Sequence, residues 1–241
     1  MKTKALTLLM PFLFVTFIGL AGNKTGMFGK DKKEERKVSD FTEISISVPA
    51  DVELRQGDEC KLVLDGDEDV LEKIETKVRG DELVIKSNRR FNFGWNEEIT
   101  IYITVKNIEE INVAGSADVV AKTDISAKEI EFGISGSGKV HIPSLNATSI
   151  QASISGSGRV ELGGNETAEK LELGISGSGK FEAENLQVKE ADIDISGSGK
   201  GYVHVTDMLE VDISGSGRVY YSGNPTINAD ISGSGKVRSA D

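Results

Sequence analysis

Three aspartates, Asp194, Asp212 and Asp230, recur at intervals of 18 residues in this 241-residue chain. If the segments that carry them stack on one another, the three carboxylates lie close together, with Asp192 and Glu210 alongside. Close carboxylates either raise one another's pKa or hold a hard cation such as Ca²⁺. These five residues are therefore a candidate site for a cation or a glycan. The alternative is a solvated acidic face.

A second charged series places one basic residue in each of six similar segments: Lys139, Arg159, Lys180, Lys200, Arg218 and Lys236. If the segments stack, neighbouring cations lie about 4.8 Å apart, which is the spacing of adjacent strands. Such a ridge could bind anionic glycans, or it could be a solvated face that discourages aggregation. The series is consistent with both interpretations.

The residue types that nucleophilic and zinc chemistry require are scarce. The only histidines are His141 and His204, in segments far apart, which argues against a Ser–His–carboxylate set and against clustered zinc ligands. The single cysteine, Cys60, alternates in phase with Leu62 and Leu64, so we expect an inert thiol on a buried face. We therefore predict that the protein is not an enzyme.

The charged series recur because the sequence itself repeats. Ile-Ser-Gly-Ser-Gly followed by Lys or Arg occurs six times, 18 to 21 residues apart, at Ile134, Ile154, Ile175, Ile195, Ile213 and Ile231. Alternating apolar residues flank each copy, which is typical of short strands separated by turns. One unit cannot bury its own apolar stripe, but stacked units bury it for one another. The repeat predicts an all-β fold, a parallel β-helix with coils of 18–21 residues.

The repeat also predicts which side chains face inward. The six isoleucines should form one inward column, in which full burial of each side chain is worth roughly 1.5–3 kcal/mol. A second inward column is expected from Val140, Val160, Phe181, Val219 and Val237. The two glycines of each turn should lie where the chain adopts φ > 0 and where neighbouring backbones approach closely.

The repeats cover residues 113–241 of a predicted domain that spans 40–241. We interpret residues 40–112 as irregular first coils and a cap, because their strands alternate without the repeat motif. A hairpin is expected over residues 78–85, and its turn explains the Arg-Gly-Asp triplet without an integrin-binding role. A helical turn is expected over residues 68–73.

Residues 1–22 have the organisation of a secretory signal peptide: two lysines, an uncharged apolar run over 6–20, and small residues after it. Asn23 stands where a lipoprotein signal would need Cys. We expect cleavage rather than an uncleaved anchor, and no transmembrane span thereafter. The protein would then be exported to the periplasm, the outer-membrane surface or the medium. Residues 23–39, rich in both charges, are predicted to be an exposed linker.

The charge balance of the chain is acidic. It has 28 Lys and Arg against 39 Asp and Glu, a net charge of −11, which becomes −13 when the two lysines of residues 1–22 are removed. An acidic surface repels nucleic acid and anionic lipid. We therefore expect no nucleic-acid partner.

The order of these motifs resembles a known family. The opening segment 41–54 with Gln56-Gly57, the turn at 79–83 and the Ser-Gly-Ser-Gly coils are similar to the putative auto-transporter adhesin, head GIN domain family of Gram-negative envelopes. The resemblance covers nearly all of residues 40–241. It implies a right-handed, single-chain β-helix of pectin-lyase-like shape, with no recognised catalytic set and no binding residues to carry over.

We therefore expect a non-catalytic envelope or surface protein, an adhesin-like module whose flat faces bind a glycan or a host or cell-surface protein. The rival functions are a carbohydrate-active lyase or hydrolase that uses the acidic series, and a periplasmic scaffold without an external ligand. The sequence stops at Asp241, soon after the last repeat, so we also expect self-association or partner binding through the C-terminal coil.

Overall fold

The fold is built almost entirely of β-strands. A computed structural model describes residues 31–87 and 98–240, so the predicted signal peptide lies outside the described residues. The chain forms a β-solenoid of about six turns in which strands make up 72% of the structure, and this confirms the predicted all-β class. No helix in the described ranges has the length and apolar character needed to cross a membrane.

Nineteen strands and one short helix lie in the described residues. The elements before the repeats are β1 (Asp31–Arg36), β2 (Glu43–Ile46), β3 (Asp51–Gln56), β4 (Lys61–Asp67), α1 (Glu68–Leu71), β5 (Ile74–Arg79), β6 (Glu82–Ser87) and β7 (Thr100–Val105). The next six are β8 (Glu110–Gly115), β9 (Asp118–Ala121), β10 (Ile125–Gly136), β11 (Lys139–Ile142), β12 (Leu145–Gly156) and β13 (Arg159–Gly163). The last six are β14 (Ala168–Gly177), β15 (Lys180–Gly197), β16 (Lys200–Gly215), β17 (Arg218–Ser222), β18 (Thr226–Gly233) and β19 (Lys236–Ser239).

The strands stack in two parallel ladders. The first ladder runs β6, β2, β8, β10, β12, β14, β15, β16, β18. The second runs β7, β3, β9, β11, β13, β15, β16, β17, β19. Strands β15 and β16 are long enough to take part in both ladders, and their pairing shifts register between Ala183 and Gln187 and between Val188 and Glu190.

The register of the ladders aligns the repeats residue for residue. Ile134 pairs with Ile154, and Ile154 pairs with Ile175. The prediction of a first inward column is wrong for Ile231, which is 39% exposed, and is confirmed at five positions where at most 2% of the side chain is exposed: Ile134, Ile154, Ile175, Ile195 and Ile213. The second is confirmed at four fully buried positions: Val140, Val160, Phe181 and Val219. The core is therefore a set of aliphatic columns that run along the solenoid.

The two glycines of each turn are required for different reasons. Gly177 has φ +121°, and a Cβ added there would lie 2.6 Å from the carbonyl oxygen of Gly156 in the preceding coil. Gly179 has no positive φ, but its Cβ would lie 2.4 Å from Cγ2 of Ile154. The Ser-Gly-Ser-Gly motif is therefore dictated by how closely one turn stacks on the next.

The first coils do not stack in chain order. Strand β2 lies between β6 and β8, and β3 lies between β7 and β9. The coil that comes first along the chain is therefore second in the stack. Strands β4 and β5 extend this end of the ladders by antiparallel pairing with β7 and β6.

The linker predicted for residues 23–39 is wrong for Asp31–Arg36, which forms strand β1 and pairs antiparallel with β4. Its charged side chains have partners on the neighbouring elements. Lys32 Nζ donates to Glu68 Oε1 at 2.9 Å, and Arg36 Nη2 donates to the carbonyl oxygen of Leu71 at 3.0 Å. A run of mixed charges is ordered here because an edge strand can pair its backbone while its charges are neutralised.

Three smaller features of the N-terminal region also have clear outcomes. The predicted hairpin is formed by β5 and β6, with an exposed turn at Arg79-Gly80-Asp81 in which Gly80 has φ 63°. The predicted helical turn is α1. The expectation of a buried thiol is only partly right, because Cys60 is half-buried, with Sγ 3.8 Å from the carbonyl oxygen of Phe41.

Candidate functional site

The three aspartates of the candidate site lie in successive coils. Asp194 on β15 pairs in register with Asp212 on β16, and Asp212 pairs with Asp230 on β18. We call these residues the aspartate column. Each is exposed, because the isoleucine that follows it faces inward, and together they line an open groove of about 280 Å³.

A second acidic row lies two residues before the aspartate column. Asp192 stands between Glu172 and Glu210 of the neighbouring coils. Loss of hydration against these coils, together with the negative charges of Asp194 and Glu172, raises the pKa of Asp192 above its usual value. Lys170 forms an ion pair with Glu172 and offsets part of this effect. Asp192 therefore lies in an excess of negative charge.

The geometry gives the calcium hypothesis no support beyond charge. Among the described side chains, no group of three Asp, Glu, His or Cys residues is arranged to hold a metal ion. Equivalent positions on parallel strands point in the same direction, about 4.8 Å apart. The carboxylates of the aspartate column therefore form a line along the surface and do not enclose a point.

Toward the N-terminal end the acidic row is interrupted by Gln151 and then continues at Glu131. Glu131 aligns with Glu110, Glu110 with Glu43, and Glu43 with Glu82. Loss of hydration, then the charge of Glu110, raises the pKa of Glu43. A groove of about 500 Å³ borders Glu43, Glu110 and Glu131. Spacing from the repeats could have identified Glu110, but Glu43 and Glu82 belong to coils without the repeat motif.

The basic residues form one column, which we call the basic column, and its N-terminal half is neutralised. Lys139 Nζ lies 2.7 Å from a carboxylate oxygen of Asp118. Arg159 and Lys180 both contact Glu182, at 3.4 Å and 2.6 Å. These three cations are therefore occupied by carboxylates of the protein itself.

The C-terminal half of the basic column has different neighbours. Within the described ranges, no carboxylate oxygen lies within 4.0 Å of the charged atoms of Lys200, Arg218 or Lys236. The residues two positions beyond Lys200 and Arg218 are Tyr202 and Tyr220, whose rings stack with centroids 4.9 Å apart and planes 14° from parallel. The surface therefore changes from ion-paired to cationic and aromatic along the solenoid.

The two histidines lie on separate coils, as the sequence predicts. His141 on β11 has Nδ1 3.4 Å from Glu161 Oε2, whereas His204 is on β16, three coils away. The groove of about 150 Å³ beside His141 has no serine or cysteine among the described residues that line it. His141 therefore has no nucleophile to activate in this groove.

The described part of the chain is a β-solenoid whose outer faces repeat from coil to coil. The family described as putative auto-transporter adhesin, head GIN domain, matches residues 40–225. The chain belongs to that family. No curated protein matches the chain.

Solved structures share the fold. A putative adhesin from Bacteroides fragilis is 24% identical with a TM-score of 0.81, over 87% of this chain and 97% of its own. A putative lipid binding protein from Parabacteroides distasonis is 26% identical with a TM-score of 0.72, over 88% and 98%. A putative adhesin from the same species is 21% identical with a TM-score of 0.68, over 88% and 98%.

Proposed function

We propose that the protein is a non-catalytic, exported, adhesin-like module of the cell envelope that binds its partner through the flat outer faces of the solenoid. Membership of a putative adhesin family and similarity to putative adhesins support this function. The observation that carries it is the register of the Ile-Ser-Gly-Ser-Gly motifs, which align residue for residue from β10 to β18 and make the face that carries them a continuous surface. Extended surfaces of this kind suit contact with a polymer or another surface.

The rival lyase or hydrolase function has no specific observation in its favour among the described residues. An active site needs chemically distinct groups around one groove. The aspartate column has equivalent carboxylates in equivalent, exposed environments, and the groove beside His141 offers no nucleophile. Incubation with acidic and neutral polysaccharides should therefore release no new reducing ends. Product release that is lost on Asp212→Ala would establish the rival function.

Export is part of the proposal and is supported by the signal-peptide pattern of residues 1–22. Fractionation of the native cells, followed by immunodetection, tests it. Protein found outside the cytoplasm, shortened at its N-terminus by mass spectrometry, is the expected result. Protein confined to the cytoplasm would contradict the proposed location.

An array of glycans and extracellular-matrix proteins, probed with and without calcium, tests the binding function. We expect binding to at least one class of probe. The matched variants are Asp212→Ala, in the aspartate column, and Asp207→Ala, an exposed aspartate on the same strand outside it. Calcium-dependent binding that only Asp212→Ala removes would assign the partner to the aspartate column. No binding under either condition would contradict the proposal and favour the scaffold.

A further inference from the structure

The C-terminal half of the basic column carries positive charge that no carboxylate of the described residues neutralises. Lys200, Arg218 and Lys236 are in register on β16, β17 and β19, and Arg238 follows two residues after Lys236. Lys200 is half-buried and the other three are exposed. We call these four residues the free cationic patch. It is a local excess of positive charge on a chain whose net charge is −11.

The patch lacks carboxylate partners because the residue types of one neighbouring row differ between the earlier and the later coils. The residues two positions after each member of the basic column are, in order, His141, Glu161, Glu182, Tyr202, Tyr220 and Arg238. Glu182 neutralises Arg159 and Lys180, whereas tyrosine and arginine occupy the row in the later coils. The later cations therefore lack the acidic neighbour that Arg159 and Lys180 have.

The free cationic patch has the spacing and surroundings of a site for an extended anionic polymer. Its charges recur once per coil, about 4.8 Å apart, and the charged groups of an extended acidic glycan also recur along a line. Tyr202 and Tyr220 are half-buried, and the phenolic hydroxyls of such tyrosines can donate hydrogen bonds to sugar oxygens. The stacked rings also keep this row ordered, which lowers the entropy cost of binding.

We infer that the free cationic patch binds an extended anionic polysaccharide that carries carboxylate or sulfate groups. This inference rests on the proposed adhesin-like function and names the chemistry of its partner. The polymer lies along the solenoid, with successive charges facing Lys200, Arg218 and Lys236. Because the contacts are exposed ion pairs, binding is weakened by salt.

Nucleic acid fits the patch less well than a glycan does. The rings of Tyr202 and Tyr220 each cover one face of the other, and Lys180 Nζ lies 4.7 Å from the centroid of the Tyr202 ring, so at most one ring face, on Tyr220, is left for a base to stack on. A duplex is also wide enough to bring phosphates over the first ladder, where the aspartate column would repel them. A single glycan chain contacts only one row and avoids this repulsion.

The test compares two triple variants that remove the same number of positive charges. The test variant changes three residues of the patch to Gln: Lys200, Arg218 and Lys236. The control changes three ion-paired residues to Gln and leaves out Lys180, whose Nζ lies 4.7 Å from the centroid of the Tyr202 ring: Lys122, Lys139 and Arg159. Binding of the purified proteins to dextran sulfate, polygalacturonate, uncharged dextran and duplex DNA is measured by biolayer interferometry at low and high salt. Circular dichroism and melting temperatures verify that both variants fold.

We expect salt-sensitive binding of at least one of the two acidic polysaccharides and no binding of dextran. The affinity should fall about tenfold in the test variant and less than about threefold in the control. Equal losses in both variants, tighter binding of DNA than of either polysaccharide, or no binding of either polysaccharide would overturn the inference. If array binding persists in that last case, the proposed function stands and only this inference fails. If the protein also binds no probe on the array, both this inference and the proposed function are overturned.

Discussion

The two ends of the solenoid present different strand edges. At the N-terminal end the outermost strands are β5 and β1, which pair antiparallel with their neighbours, and β1 consists of charged residues of both signs. At the C-terminal end β18 and β19 each have a described strand neighbour on one side only. Ile227 and Ile231 on β18 are 40% and 39% exposed, whereas their register partners Leu209 and Ile213 are buried.

The comparison shows that an inward-facing side chain of this fold is fully buried only where it lies between two coils. Ile213 and Ile231 occupy the same position of the same motif, but Ile213 has a coil on each side and Ile231 has one described coil beside it. Ion-paired edge strands such as β1 discourage pairing with other chains, whereas an edge with exposed apolar residues favours it. The exposed fraction of an inward-facing side chain is therefore determined by whether a coil lies on each side of it.

The largest effect is expected from truncating the same isoleucine in the middle and at the end of the solenoid. Ile175→Ala removes fully buried atoms between two coils and should lower the free energy of unfolding by about 2–5 kcal/mol. Ile231→Ala removes a side chain that is already 39% exposed, so its cost should be about half as large or less. Urea denaturation followed by circular dichroism measures both. Equal losses would show that the end coil is covered in solution.

The glycine column should give a smaller effect in the middle coils. Gly177→Ala places a Cβ at φ +121°, 2.6 Å from the carbonyl oxygen of Gly156, and should cost about 1–3 kcal/mol. Gly174→Ala is the matched control on the same strand, since its Cβ would meet no atom within 4 Å and its φ is not positive. Thermal unfolding should separate the two variants. Similar melting temperatures would contradict the close stacking of the turns.

The open edge of β18 predicts concentration-dependent self-association with a second copy. Ile231→Lys places a charge at the exposed end of the core and should shift the protein toward monomer in analytical ultracentrifugation. Asn228→Lys adds the same charge on the outer side of the same strand and serves as the control. A protein that remains monomeric at high concentration before any substitution would contradict this prediction.

The repeat region could be predicted from sequence because each motif places the same side chains inward. Six identical motifs allow only one register in which Ile134, Ile154 and Ile175 all stay buried. The first coils could not be predicted in this way, since no motif relates β2 to β6 or β8. Strand β1 could not be predicted because all six of its residues are charged, so the apolar pattern that signals a strand is absent.

The charged columns of the site could likewise be predicted from spacing, because equivalent positions of a solenoid stack. Which of the individual cations are neutralised by a carboxylate could not be predicted from spacing. Glu182 contacts Arg159 of the preceding coil as well as Lys180 of its own strand, and such contacts depend on side-chain conformation. The part of the acidic row beyond Glu110 could not be predicted either, because Glu43 aligns with Glu110 only as a result of the non-sequential order of the first coils.

The smallest predicted effect concerns the middle of the acidic row, where no strand edge is exposed. The raised pKa of Asp192 means that the folded protein binds more protons than the unfolded chain just above the ordinary pKa of Asp, about 3.9. Stability therefore falls as the pH rises through the raised pKa, and ionised Asp192 destabilises the fold at neutral pH. Asp192→Asn should raise the free energy of unfolding at pH 7 by about a few tenths of a kcal/mol, a small effect because exposed charges are screened, and the difference should vanish below a pH of about 4. Salt should remove the part of the effect due to Asp194 and Glu172 and leave the part due to lost hydration. A variant less stable than the unmodified protein at pH 7 would show that the carboxylate makes a favourable contact, and the row would then be a stabilising network.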